Sequence, residues 1–301
     1  MKKLLAVLLT AAMTMAMLTA CGSSTESADT TAETEVTEDA EADATVEATE
    51  ETTEATDETA EAAEETTEEA VSEALADGVL IAGTNAEFPP FEYVGDDGEA
   101  DGFDVALIKA IGEKLGVEVQ VENMEFASLI SSIGNKTDVA IAGMTVTDER
   151  KESVDFSDSY YEAVQYVLLP EGSEIATADD LKNKTIGVQL GTTGDFIATD
   201  IEGTTVNSYN KAVDAVNDLI NGRVDCVIID KNPALVFESQ YQEEGSKITA
   251  VDGAQFGFEP EYYAIAMPKG DTALADAINT ALEELKADGT FDELVKTYIE
   301  E

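Results

Sequence analysis

The chain has 301 residues, 65 of them acidic against 16 basic, with a formal charge of −49 and no histidine. Phosphate neutralisation needs basic surface, so this balance excludes nucleic acid as a partner and docking of the folded part on anionic lipid. Two cysteines without any histidine exclude a Cys/His nucleophile pair and make zinc sites of the usual kind improbable, so neither a metal nor a cofactor is expected.

The chain opens with Lys2 and Lys3, an apolar run over residues 4–17, then Leu18, Thr19, Ala20 and Cys21. This reads as an export signal over residues 1–20. The run is shorter than the roughly 20 residues a membrane span requires and ends in small residues. Leu-x-Ala before a cysteine looks like a bacterial lipoprotein cleavage box, with Cys21 as the acylated amino terminus. The mature protein is then expected to be lipid-anchored on the extracytoplasmic face of the cell membrane, at a Gram-positive-type cell surface.

Residues 21–77 are nearly all Thr, Glu, Ala, Asp and Ser, with 21 acids between Glu26 and Asp77. Such a segment cannot bury enough apolar surface to offset its ordering entropy, and self-repulsion extends it. A disordered tether is expected. The rival reading, a cation-binding tail, lacks cage-like spacing.

Some 225 residues remain, enough for two lobes of about 100 each. Strand patterns at residues 79–83, 117–121 and 139–143 alternate with helix patterns at 103–115 and 127–133. In the first helix Phe103, Leu107, Ile111 and Leu115 line one face, and Gly116 stands where a left-handed C-cap belongs. The pattern restarts after Pro170. Thr177 with Asp179 and Asp180 reads as a capped helix start. A strand follows at 185–189, a helix at 194–201, a helix through Val213, Val216 and Ile220, and a buried strand at 224–229. Cys226 lies in that last run and reads as a small buried hydrophobe without a disulfide partner. Two helices close the chain, separated by a cap at Gly289. The sequence predicts an α/β protein whose lobes are mostly parallel sheets flanked by helices.

The stretch DVAIAGMTVTDERKESVDFSDSYY, residues 138–161, places Gly143, Thr145 and Arg150 just beyond a strand, at the sheet edge where α/β proteins bind ligands. A guanidinium offers a planar fork that matches a carboxylate. Gly143 would expose a backbone donor and Thr145 a hydroxyl to the same group. The bland alternative pairs Arg150 with Asp148, Glu149 or Glu152 on a solvated turn.

GTNAEFPPFEY (83–93), GFDVAL (102–107), AGMTVTDERKESVDFSDSYY (142–161) and GRVDCVIID (222–230) stand in the order and spacing of the polar amino-acid-binding proteins of ABC importers. From residue 78 to 301 the chain resembles this solute-binding family. The resemblance implies a two-lobed periplasmic-binding-protein-like type II fold with a two-segment hinge. Lobe 1 would comprise residues 78–162 and 264–301, and lobe 2 residues 163–263, with crossings near 162–166 and 259–263.

It also implies a site. Arg150, assisted by Gly143 and Thr145, would bind the ligand carboxylate, with Thr192 and Thr193 closing on it from the second lobe. Asp230 would receive the α-ammonium, although without the resemblance it reads as a helix N-cap. Phe88 would pack on the ligand side chain or, in the plain reading, sit in the core. Asp104 is expected to cap the following helix. Asn85 and Glu87 occupy the loop position that reads the side chain in relatives. A carboxylate there favours a basic ligand, an inference weakened by Asn85, which replaces the usual aspartate. Gln189 lacks the cation that some glutamine-binding relatives carry.

The expected function is capture of a polar amino acid by a monomer that delivers it to an ABC importer permease. The alternatives are a dehydratase or lyase on the same fold, with Glu87 as acid or base, and a ligand-sensing module for a receptor.

Overall fold

The computed structural model describes residues 72–243 and 245–300. The leader, the lipidation candidate Cys21 and the acidic stretch up to residue 71 lie outside the described residues. No helix among the described residues is long and apolar enough to cross a membrane.

Two five-stranded sheets carry the fold. The first runs Glu118–Asn123, Val79–Thr84, Val139–Ala140, Ala266–Pro268, Val154–Phe156. The second runs Thr205–Tyr209, Thr185–Gln189, Cys226–Asp230, Gln165–Pro170, Ile248–Asp252. Val79–Thr84 and Thr185–Gln189 each pair in parallel with both neighbours, as strands joined by crossover helices must. The fourth strand in each order runs antiparallel to both of its neighbours. Each sheet is therefore mixed, with one opposed strand.

Burial on both faces explains the unbroken apolar runs that mark these strands. Val139 and Ile141 enter the large core shared with Leu80, Phe103 and Ile108, while Ala140 and Ala142 face a smaller core with Leu129 and Met144. Along Cys226–Asp230, Val227 and Ile229 face the large core while Cys226 and Ile228 enter another with Ile186 and Val188. This is the period-2 alternation of a strand. Burial pushes the Cys226 thiol up to about 12, so it packs as an inert hydrophobe.

Helix Phe103–Leu115 has the predicted bounds and buries Phe103, Leu107, Ile108 and Ile111. Each such side chain contributes about 1.5–3 kcal/mol. Its C-cap is Gly116 in the left-handed region. The closing helices, Thr272–Asp288 and Thr290–Tyr298, pack against it, so the chain's end completes the layer on the first sheet.

The chain passes from the first sheet to the second at Tyr161–Ala163 and returns at Glu261–Tyr263. The two segments pair antiparallel, Tyr161 opposite Tyr263. This short ladder is the two-segment hinge.

Several elements differ from expectation. The strand expected over 139–143 is regular only at Val139–Ala140, because the backbone then bends to meet the hinge. There Ala264 N–H donates to Met144 O (3.1 Å) and Val146 N–H to Tyr262 O (2.9 Å). The helix expected at 127–133 is a 3-10 turn, Phe126–Ser128, followed by Leu129–Ser132. Thr177 caps only the 3-10 turn Ala178–Leu181. Helix Lys231–Glu243 begins directly after Asp230, as the N-cap reading of that residue implies, whereas strand Thr205–Tyr209 and the small sheet of Glu87–Phe88, Glu92–Val94 and Ala100–Asp101 had no distinct pattern. Packing also begins inside the span assigned to the tether. Ser72 is buried and its hydroxyl donates to Asp271 (2.6 Å), and Leu75 packs on the core.

Candidate functional site

The parallel strands of both sheets end on one small cavity. Val79–Thr84 delivers Asn85 and Phe88, Val139–Ala140 delivers Ala142, Gly143 and Thr145, and Glu118–Asn123 delivers Phe126. From the second sheet, Thr185–Gln189 ends in Gln189, Thr192 and Thr193, and Cys226–Asp230 ends in Asp230. Ligands of α/β proteins bind at such carboxyl ends, where the loops are free to carry function.

Arg150 lies in the helix Asp148–Ser153, whose N-cap Thr147 accepts from the Arg150 backbone N–H. The solvated-turn alternative does not hold. The side chain is only 5% exposed, and the ion pair on that turn is Lys151 with Asp148 (3.7 Å). The guanidinium donates to Thr145 O (2.6 Å) and, across the cleft, to Gly191 O (3.0 Å). It also stands over the Phe126 ring at 5.4 Å. Burial lowers its pKa, opposed by the charges of Glu261 and Asp230. Two donors are spent on carbonyls, leaving three of the guanidinium's five N–H groups.

Gly143 lines the cavity, but its N–H does not face it. It donates to Asp104 Oδ2 at 2.7 Å, and the Tyr160 hydroxyl donates to the same oxygen at 2.7 Å. The expectation of a free backbone donor at Gly143 is corrected accordingly. Asp104 is also not a helix cap: the N-cap is Gly102, without a side-chain bond, and the Asp104 carboxylate instead pins the Gly143 bend. Gly143 has φ +52°, and a Cβ there would meet the Phe88 ring at 2.9 Å, so the bend admits glycine alone. Behind it Glu92 and Asp104 are both fully buried. Burial pushes Asp104 up to about 6, and burial with the nearby Asp104 charge holds Glu92 well above the usual carboxylate range.

Asp230 is buried, and burial together with the charge of Glu261 pushes it up to about 7. The Tyr263 hydroxyl donates to its Oδ1 at 2.5 Å, which holds the carboxylate in place. Glu261 carries no sequence signal beyond its place in a crossing segment, yet it is central here. Its Oε2 accepts from the hydroxyls of Thr145 (2.6 Å) and Thr193 (2.7 Å), one from each side of the cleft. Fully buried Gln165 donates to Thr193 Oγ1 (3.1 Å) and lies 3.4 Å from the same Glu261 oxygen. Thr192 lines the cavity as the N-cap of helix Thr193–Asp200, its hydroxyl proton spent on Gln189 O (2.8 Å).

Asn85 and Gln189 meet across the cleft, the Gln189 amide donating to Asn85 Oδ1 at 2.8 Å. Glu87 stands outside the cavity lining and forms an ion pair with Lys211 from the opposite side. Phe88 lines the cavity and packs on Phe91 with ring centroids 6.0 Å apart, so it is both core and site. Phe126 was not singled out from sequence. Its signal was an aromatic just past a parallel strand's carboxyl end, as Phe88 is.

The sequence profile of the bacterial extracellular solute-binding proteins, family 3, matches residues 80–301. The arginine-binding extracellular protein ArtP of Bacillus subtilis is 37% identical over 224 residues, covering 73% of this chain and 85% of that one. A probable histidine-binding protein of Neisseria gonorrhoeae is 33% identical over 221 residues, covering 71% and 81%. Among solved structures, an ancestral arginine-binding protein bound to arginine superposes with a TM-score of 0.69 at 40% identity, covering 74% of this chain and 98% of that one.

Proposed function

This chain belongs to the bacterial extracellular solute-binding proteins, family 3, and from that premise we propose that it captures a polar amino acid, preferably a basic one, and delivers it to an ABC importer. The family consists of solute-binding proteins rather than enzymes, and its members here are amino-acid-binding proteins. The observation that carries the reading is a buried guanidinium, Arg150, and a buried carboxylate, Asp230, lining one cavity from opposite sheets. An α-amino acid presents the complementary pair. Its carboxylate goes to Arg150, with Thr145, Thr192 and Thr193 around it, and its ammonium to Asp230. The side chain extends between Phe88 and Phe126 toward Asn85 and Gln189.

The arginine-binding relatives support a cationic side chain. Polar contacts already cross the cleft at Arg150 to Gly191 and at Gln189 to Asn85. A ligand bridging both lobes adds to these contacts, as hinge closure requires.

In this reading the lobes are residues 78–162 with 264–301, and 163–263. The protein works as a monomer, tethered through acylated Cys21 and the acidic stretch to the outer face of the cell membrane. The experiment is thermal unfolding of the protein against single amino acids. Ligand at a thousand times its Kd should stabilise by about 4 kcal/mol, near 10 °C for a domain of this size. Shifts with L-arginine or L-lysine and none with acidic amino acids are expected. No shift with any amino acid would overturn the proposal.

A further inference from the structure

Resting on the amino-acid-binding reading above, we propose that Glu261 is a resident carboxylate that occupies the hydroxyl pair of the ligand's carboxylate subsite and must be displaced for ligand to bind. Glu261 belongs to the returning hinge strand Glu261–Tyr263, which runs directly beside the bend that carries the site. Val146 N–H donates to Tyr262 O and Ala264 N–H to Met144 O. That register aims the Glu261 side chain between Thr145 and Thr193.

Proton stoichiometry makes the two carboxylates exclusive. A threonine hydroxyl has one proton to donate. Thr145 Oγ1 and Thr193 Oγ1 both lie within 2.7 Å of the same Glu261 oxygen, so both protons are committed. An incoming carboxylate finds no hydroxyl donor in the cavity from these residues or from Thr192, whose proton is held by Gln189 O. Its own charge is also repelled by Glu261 at short range. Arg150 keeps unspent N–H groups and receives the ligand first. The threonines follow once Glu261 lets go.

The same contacts give Glu261 a second effect. Thr145 belongs to the first sheet's edge and Thr193 to the second's, so one carboxylate oxygen on the hinge ties the two edges together. Glu261 therefore stabilises lobe closure in the ligand's absence and lowers apparent affinity. A competing self-contact raises Kd by the population it holds.

The test compares wild type, Glu261→Ala and Glu261→Gln. Isothermal titration with L-arginine measures affinity. Pulsed electron paramagnetic resonance, between spin labels at Ser131→Cys and Glu202→Cys in a Cys21→Ser background, measures lobe separation without ligand. Both labelled positions are exposed, and Cys226 is buried. Glu261→Ala should bind L-arginine about tenfold more tightly, the equivalent of one charge-assisted hydrogen bond, and shift the distance distribution toward open. Glu261→Gln keeps an acceptor without the charge and should fall between. Weaker binding in both variants would make Glu261 part of the bound site and overturn the proposal, as would unchanged affinity with an unchanged distance. If wild type binds no amino acid, the functional reading fails, while the distance measurement still decides whether Glu261 holds the lobes.

Discussion

Replacing Arg150 with alanine is the sharpest perturbation of this site. The guanidinium is 5% exposed and is the only cation lining the cavity among the described residues. Its removal leaves the carbonyls of Thr145 and Gly191 without their donor and the ligand carboxylate without its counter-charge. Breaking one member of a buried ion pair costs about 3–5 kcal/mol, which corresponds to roughly a hundred- to a few-thousandfold in Kd. Arg150→Lys separates charge from geometry. It keeps the cation but loses the fork that serves two carbonyls and a carboxylate together, so a smaller loss, on the order of tenfold, is expected. Titration calorimetry with L-arginine reads both variants, with circular dichroism confirming the fold. Arg150→Ala binding within threefold of wild type, with native circular dichroism, would refute the assignment of the carboxylate subsite.

Three further predictions use the buried acids. Asp230 and Asp104 are raised to about 7 and about 6, above their ordinary range, so the stability they contribute is present below that range and lost as pH rises through 6 to 7. The Tm of the unliganded protein should therefore fall between pH 5 and pH 8, with a shallower slope in Asp104→Asn. Ligand ammonium needs ionised Asp230, so affinity should decline below about pH 7, with proton release on binding at pH 6 visible as a buffer-dependent heat. A pH-independent Kd with no proton release would remove Asp230 from the ammonium subsite. Asp104→Ala strands two buried donors, Gly143 N–H and the Tyr160 hydroxyl, at about 1–3 kcal/mol each. Chemical denaturation should show a loss of about 2–6 kcal/mol, and a loss under 1 kcal/mol would deny Asp104 its role in pinning the bend.

Much of this protein was determined by local sequence. Apolar patterns placed the parallel strands other than Thr205–Tyr209, and the Phe103–Leu115 helix with its Gly116 cap, because side chains buried on a regular element must recur at that element's period. Family-like motifs then located Arg150, Thr145, Thr193, Phe88 and Asp230 at strand ends, and these do share one cavity. Tertiary structure alone decided what each polar group faces. Nothing in the motif GFDVAL says that the Asp104 carboxylate turns away from its own helix to take the Gly143 N–H, 39 residues on. Nor does sequence show that Glu87 is held by Lys211, 124 residues away. Glu261 is the clearest case, a hinge residue whose one oxygen meets hydroxyls 116 and 68 residues distant. Hydrogen bonds between side chains so far apart leave no periodicity in the chain, because their partners become neighbours only once two sheets and a hinge have folded.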